Sequence, residues 1–423
     1  MAEEMRHHGR DPGRRGPSGA ELEKMVTKEE ALKRIFDVWT PQAELENIPL
    51  ADAAGRVLAE DLTAQYNIPV VRASAMDGVA IRYADVKDGL PDTAKWRLGR
   101  DFVRADTGDD FADGFDTVIP IEEVALLPEG GLRFADGVKF EPGRHIRSAG
   151  SQIRQGAVVG KKGTVLTALD LSAIGMGGYD TVRVVRKPKV AFVPTGSELV
   201  PAGSRLRRGQ NFDTNSLTAA QMIREMGGEP MMHAIIQDDP SQLRQLVEKL
   251  LDEADIIILN AGTSKGGEDY CGQLLDKSGE SLFHGVRAVP GRPMSAAILK
   301  GKAVLNLSGP SLAAFYSMDW MIRPLVCRFL GIPVPGRPKV QAVLTAPLRC
   351  PPPMSLCCML NVCQAPDGAW QATPLQMRGP HGGGANAGDA AILTANAMYV
   401  TVPGEKSYET GDMILLELLR DIY

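Results

Sequence analysis

Aromatic side chains make up only 5% of this 423-residue chain. Nothing in it interleaves basic residues with aromatics as a nucleic-acid stacking platform would. The six cysteines, Cys271, Cys327, Cys350, Cys357, Cys358 and Cys363, form no CxxC pair, so the usual zinc and dithiol motifs are absent and reduced cytoplasmic thiols are expected. His145, His233, His284 and His381 make no local metal motif, and there is no GxSxG nucleophile elbow. The phosphate loop GxxxxGKS/T is missing too, and 175-GMGG-178 follows an expected helix rather than a strand, which removes the dinucleotide fingerprint. A formal net charge of -5 gives no overall attraction to nucleic acid or to an anionic membrane. The opening 1-MAEEMRHHGRDPGRRGPSGA-20 lacks the apolar stretch of a signal peptide, so residues 1–21 are expected to form a flexible tail of a cytoplasmic protein.

What is present is ample apolar material. Hydrophobic residues are 44% and charged residues 23% of the chain, enough for several cores, and the length favours more than one domain. From 22 to 37 the positions Leu22, Met25, Ala31, Ile35 and Phe36 fit a one-faced helix, with Thr27 and Glu30 spaced as a capping box. A second short amphipathic stretch is expected over 49–61. Between about 78 and 163, short apolar runs such as 117-TVIPIEEV-124 alternate with glycine turns, which indicates a β-rich module. A helix over 166–176 follows.

The next segment predicts an α/β domain. Apolar strands are expected at 189–195, near 231–236, at 255–260 and at 303–308, with helical patterns between most of them, the signature of a largely parallel sheet. Asp239 is placed to cap a helix opened by Pro240, whose Leu243, Leu246, Val247 and Leu250 would face the sheet. A helix near Asn215 offers Leu217, Ala220, Met222 and Ile223 for packing. After the proline-bearing 329-FLGIPVPGRPK-339, the runs at 340–346, 356–363, 396–403 and 413–419 read as a small β domain, and 379-GPHGGGANAGDAA-391 as a turn.

Ligands of open parallel sheets gather at the carboxyl ends of strands, where loops and helix N-termini converge. Several unusual loops fall there. In 194-PTGSEL-199, Thr195, Gly196 and Ser197 offer donors and Glu198 a carboxylate, although a capping turn explains them equally well. In 237-QDD-239, Asp239 suits the helix cap and Asp238 a cation or polar ligand. In 259-LNAGTSKGGEDY-270, Gly262, Gly266 and Gly267 allow close backbone approach, Thr263 and Ser264 add hydroxyls, and Lys265 could neutralise phosphate. Glu268 and Asp269 could instead hold a divalent cation. Arg292, in 289-VPGRPMS-295, presents a planar fork for an oxyanion. Ser308 and Gly309, in 307-LSGPS-311, precede a helical run whose free amides could receive an anion. Asp77, in 73-ASAMDGVA-80, either caps a turn or reaches a ligand.

In these stretches the chain resembles the MoeA family, the molybdopterin molybdenumtransferases, with the gephyrin E domain among its relatives. The similarity spans roughly 22 to 420 and rests on 74-SAMDGVA-80, 107-TG-108, 194-PTGSEL-199, 209-GQNFDTN-215, 237-QDDP-240, and 260-NAGTSKGGEDY-270 followed by 290-PGRP-293. The resemblance implies insertion of molybdate into adenylylated molybdopterin with release of AMP and dependence on Mg2+. It further implies a multidomain α/β plus β fold: a discontinuous helical linker domain (22–48 and 158–187), a β-rich domain (49–157), a three-layer α/β domain with a mostly parallel sheet (188–332) and a small C-terminal β-barrel-like domain (333–423). A homodimer with an intersubunit active site is implied, with transient contacts to other cofactor-synthesis proteins and recipient molybdoenzymes. Carried over residue by residue, it assigns Asp77, Glu198, Asp238 and Asp269 to catalysis and, with Asp239, to metal. Thr107, Thr195, Gly196, Gly262, Thr263, Ser264, Lys265, Gly266, Arg292, Ser308 and Gly309 fall to substrate binding.

Departures from the family pattern cluster in the same loops. The family's GED is 150-GSQ-152 here, its KPGKP is 289-VPGRP-293, and PGNP is 308-SGPS-311. Ser197, Lys265 and Val79 replace the customary aspartate, valine and tyrosine. These departures also fit a paralogue using tungstate or a related pterin, or a non-catalytic pterin-binding or scaffold protein.

Overall fold

The structure is a computed structural model that describes residues 19–237, 239–261, 280–350, 353–375 and 393–422. The chain forms two compact units, one of Leu45–Val185 and the other of the flanking segments up to Glu44 and from Arg186 onward.

In the larger unit, a six-stranded sheet runs in the order 229–232, 189–194, 256–261, 302–308, 295–299, 280–284. The first four strands are parallel and the last two antiparallel. The central strands read as apolar runs because both faces are covered: Val190 to Val193 and Ile256 to Leu259 are all buried. On one face lies the helix Pro240–Glu253, which packs Leu243, Val247, Leu250 and Leu251 onto Ala191, Val193, Ile257, Leu259 and Val304. Each such side chain contributes about 1.5–3 kcal/mol when fully buried. The helix Asn215–Glu225 buries Ala219, Met222 and Ile223, whereas Leu217 is 63% exposed and Ala220 half-buried. Its inner face is therefore set by 219, 222 and 223, and Leu217 belongs to the outer one.

The expected helix over 22–37 is two pieces, Gly19–Lys24 and Lys28–Val38. Thr27 caps the second by accepting from Glu30 N at 3.1 Å, and the intervening Val26 bridges to Val286 instead of continuing the spiral. At the other end of the unit's helical region, Ser311–Ser317 runs through a fully buried π turn, Met318–Ile322, into Arg323–Leu330. Gly331, at φ 71°, ends it in the left-handed conformation that glycine adopts without penalty.

The C-terminal strands 355–364, 370–374, 339–344, 413–418 and 397–400 follow one another, and 397–400 also pairs with 355–364, closing a small barrel. The 379–391 turn reading lies outside the described residues.

The smaller unit is made of short pieces. Leu45–Pro49 pairs with Thr181–Val185, and Phe102–Ala105, Gly78–Ile81 and Thr117–Pro120 form a three-stranded sheet. Thr167 and Asp170 make a reciprocal capping box on the helix Ala168–Met176. The amphipathic helix expected over 49–61 does not form: only a 3-10 turn, Leu50–Asp52, is present. Gly55 turns the chain at φ 74°, and beyond it Leu58 N is committed to Thr164 O and Val57 O to Val185 N.

Candidate active site

The carboxyl end of the strand Lys189–Pro194 is fastened to both neighbours. Thr195 N donates to Asn260 O at 2.9 Å, and Gly196 N donates to Ile236 O at 3.0 Å. Thr195 is buried and its hydroxyl also reaches Asn260 O, at 3.3 Å. Gly196 sits at φ 144°, and a Cβ there would lie 2.6 Å from a carboxylate oxygen of Glu198. The half-buried Glu198 side chain therefore folds back over the glycine at the strand end. Its backbone carbonyl accepts from Asn211 N at 2.9 Å, joining Leu199–Pro201 to Asn211–Asp213.

Two asparagines bind these strand ends together. Asn215 Nδ2 donates to Asn260 Oδ1 at 2.8 Å and to Gly309 O at 2.6 Å. Asn260, itself buried, donates to Ser308 O at 3.0 Å and to Leu307 O at 3.4 Å. Thr214 and Ser311 hydroxyls lie 3.3 Å apart across the same loops. The result is a rim at the carboxyl ends of three parallel strands, bearing Thr195, Gly196, Glu198, Ser308 and Gly309. Sequence reasoning singled out those five but missed Asn260, whose only signal was a carboxamide at the end of an apolar strand.

Asp239 acts as the helix cap: one oxygen accepts from Ser241 N, Ser241 Oγ and Gln242 N, and the other from Gln242 Nε2. These donors hold its carboxyl below the usual range, the Ser241 hydroxyl bond leading. Arg292 is exposed, and its carbonyl accepts from both Val286 N and Met294 N, which fixes the loop's backbone and leaves the guanidinium outward. Beside it, Gly291 at φ 103° lies against Ser317: a Cβ there would be 2.9 Å from Ser317 Oγ.

In the smaller unit, Thr107 N donates to Asp77 Oδ1 at 2.6 Å, and this bond first, with the Thr107 side chain second, holds the exposed Asp77 carboxyl below the usual carboxylate range. Ile121 N donates to Asp77 O, so the turn is pinned from both sides. Gly78 follows on the central strand, where a Cβ would meet Ile119 O at 2.0 Å; only glycine fits.

Asp238, Gly262, Thr263, Ser264, Lys265, Gly266 and Asp269 lie outside the described residues. Among the described residues, no group of three or more His, Cys, Asp or Glu side chains is assembled to hold a metal ion. Nor is any helix there long and apolar enough to cross a membrane.

Parallel strand ends that gather hydroxyls, amides and a carboxylate define an α/β ligand-binding domain, and the β-rich unit of the same chain carries a fixed acid of its own. The family model described as "MoeA N-terminal region (domain I and II)" matches residues 26–178, and "Probable molybdopterin binding domain" matches 191–328. A Mycobacterium tuberculosis protein named molybdopterin molybdenumtransferase 2 is 30% identical over 330 residues, 72% of this chain and 80% of its own length. The Bacillus subtilis molybdopterin molybdenumtransferase is 28% identical over 415 residues, 94% of either chain. A solved molybdopterin biosynthesis MoeA protein from Pyrococcus horikoshii shares the fold, with a TM-score of 0.75 at 24% identity, covering 94% of this chain and 100% of that one. This chain belongs to the MoeA family of molybdopterin molybdenumtransferases, enzymes of molybdenum cofactor biosynthesis.

Proposed function

We propose that the protein inserts molybdate into adenylylated molybdopterin and releases AMP. The observation that carries this reading is the rim of Thr195, Gly196, Glu198, Ser308 and Gly309, held in one frame by Asn215 and Asn260. In it, the backbone and hydroxyls of the rim receive the anionic pterin phosphate, and Arg292, with Lys265, supplies the positive charge that molybdate requires. Thr263 and Ser264, between Gly262 and Gly266, add donors from the adjoining loop.

Glu198, Asp238 and Asp269 provide hard oxygen ligands suited to Mg2+, with Asp77 as a further carboxylate. When bound, Mg2+ would offset the repulsion between acids and oxyanion and polarise the adenylate phosphate. Asp239, whose oxygens are taken by Ser241 and Gln242, serves this site by starting the helix beside Asp238. The protein's contribution is electrostatic placement; no side chain forms a covalent intermediate.

In this reading the protein is a cytoplasmic homodimer, and Asp77 and Thr107 of one subunit complete the site on the partner's α/β domain. The test measures AMP release from adenylylated molybdopterin on addition of molybdate and Mg2+, with tungstate in parallel. Asp77→Ala and Glu198→Ala are each expected to lower the rate at least about a hundredfold, as loss of one transition-state contact does. Mixing the two inactive variants should restore part of the activity, because one site of a mixed dimer is intact. Binding of the pterin without AMP release under either oxyanion would sink the catalytic reading.

A further inference from the structure

The helix Lys28–Val38 opens on a lysine, at the end where the free first-turn amides disfavour a cation and favour an anion. Lys28 is half-buried, and among the described residues its ammonium has no ion-pair or hydrogen-bond partner. Its Nζ lies instead 5.5 Å from the ring centre of Tyr316 and 6.0 Å from that of Trp320. A cation–π contact reaches about 6 Å, so at these separations the rings repay little of the lost hydration. Burial therefore draws the Lys28 amine below the ordinary lysine value. It does so against the opposing pull of Glu29 on the same helix, Cys357 on a barrel strand, Asp319 on the π turn and Glu417 on the last strand.

The facing aromatic pair supplies donors. Tyr316 is fully buried and Trp320 nearly so, with ring centres 6.3 Å apart. Among the described residues, neither the Tyr316 hydroxyl nor Trp320 Nε1 has a hydrogen-bond partner. The indole can only donate, and burial pushes ionisation of the Tyr316 hydroxyl far up, so that it too keeps a proton to give. The acids of the neighbourhood are already committed. Asp319 holds Arg323 at 2.7 Å and Arg337 at 2.9 Å. Glu417 lies 3.6 Å from Arg337 and 3.9 Å from Lys339. A lysine at a helix start and two buried donors are thus left without an acceptor, and Lys28 can carry one itself.

We propose that Lys28 is a carbon dioxide acceptor, its side chain forming a carbamate whose oxygens accept from the Tyr316 hydroxyl and Trp320 Nε1. The lone pair of the neutral Nζ forms an N–C bond to the carbon of CO2, one C–O π pair moves onto oxygen, and an Nζ proton leaves to water. Lys–NH2 and CO2 become Lys–NH–COO− and H+, with no oxidant or further reactant. An amine held below the ordinary lysine value offers its lone pair closer to neutral pH, where a solvated lysine, at about 10.4, is almost wholly protonated. The product exchanges a cation for an anion at the helix start, as the first-turn amides favour, and gives the buried donors an acceptor. It fastens the helix Lys28–Val38 to the π turn. None of the residues placed in the transfer reaction takes part.

Carbon-13 NMR of the full chain in carbon-13-labelled bicarbonate tests this, with ethylation by triethyloxonium and peptide mapping to locate the adduct. A carbamate resonance that maps to Lys28 and disappears in Lys28→Arg is expected. Its intensity should rise with pH as more of the amine loses its proton. Tyr316→Phe and Trp320→Phe should each lower the carbamate's formation constant about tenfold, the effect of removing one hydrogen bond to a charged group. No carbamate on Lys28 of the unaltered chain in millimolar bicarbonate would overturn the proposal. So would a resonance that persists in folded Lys28→Arg, which belongs to the terminal amine or another lysine. Unaltered occupancy in folded Tyr316→Phe and Trp320→Phe would do the same.

Discussion

The two units position their acids by different means. In the α/β domain, Glu198 sits in the loop that follows a six-residue strand buried from Val190 to Pro194, and that loop inherits the rigidity of a sheet whose core spans Ala191 to Val304. In the smaller unit, Asp77 stands beside a strand of four residues, and its carboxylate is held by Thr107, through the backbone amide first and the side chain second. A sheet can place a side chain through packing alone, whereas a module of short strands must do so with individual hydrogen bonds and obligatory glycines.

The sharpest way to break this contrast is at the hub beneath the sheet. Asp255 accepts from both Arg186 nitrogens, at 3.0 and 3.1 Å, and from Lys189 N at 2.7 Å. Asp255→Ala would take two charge-assisted bonds from a guanidinium that keeps Glu44 and Lys187 O, and would leave the Lys189 amide without its acceptor, at an expected cost of about 3 kcal/mol in chemical denaturation. A loss under about 1 kcal/mol would mean that packing holds the sheet without it.

Gly78→Ala probes the smaller unit. The methyl cannot coexist with Ile119 O, so the central strand must part from its neighbour, at a cost at the upper end of the overpacking range of about 1–3 kcal/mol. Proteolysis should then cut first within 45–185. Wild-type melting and an intact Asp77 environment would show that backbone shifts absorb the methyl.

The smallest effect is in pH. Because Thr107 lowers the folded-state value of Asp77, the stabilisation from that bond is complete above the ordinary carboxylate value of about 3.9 and drains away as pH falls through the lower folded value. Carboxyl NMR of Asp77 should give a midpoint below about 3.9. A midpoint at or above it would remove the amide as the holding contact.

The same contrast explains what the sequence disclosed. The helix at Pro240 was legible because a cap, an N1 proline and the 243, 247, 250 spacing agree locally. The strands Ser295–Leu299 and Glu280–His284 were not, because 295-SAAIL-299 has no alternation and its antiparallel pairing is fixed by neighbours. The misread 49–61 stretch has helical spacing, but Gly55 and the pairing of Val57 and Leu58 override it. Of the site, the PTG loop and the SGPS turn could be found as loops. The amide link from Asn215 to Asn260 and Gly309 spans 45 and 94 residues, a distance over which periodicity carries no information.

The closeness of Gly196 and Glu198 has an evolutionary consequence. With the carboxylate only 2.6 Å from where a Cβ would stand, an acid at 198 in this pose and any side chain at 196 exclude one another. The two positions form one hereditary unit: a lineage that gave up the glycine would have to surrender or re-aim the acid in the same step, and a designer reshaping this loop must change both together.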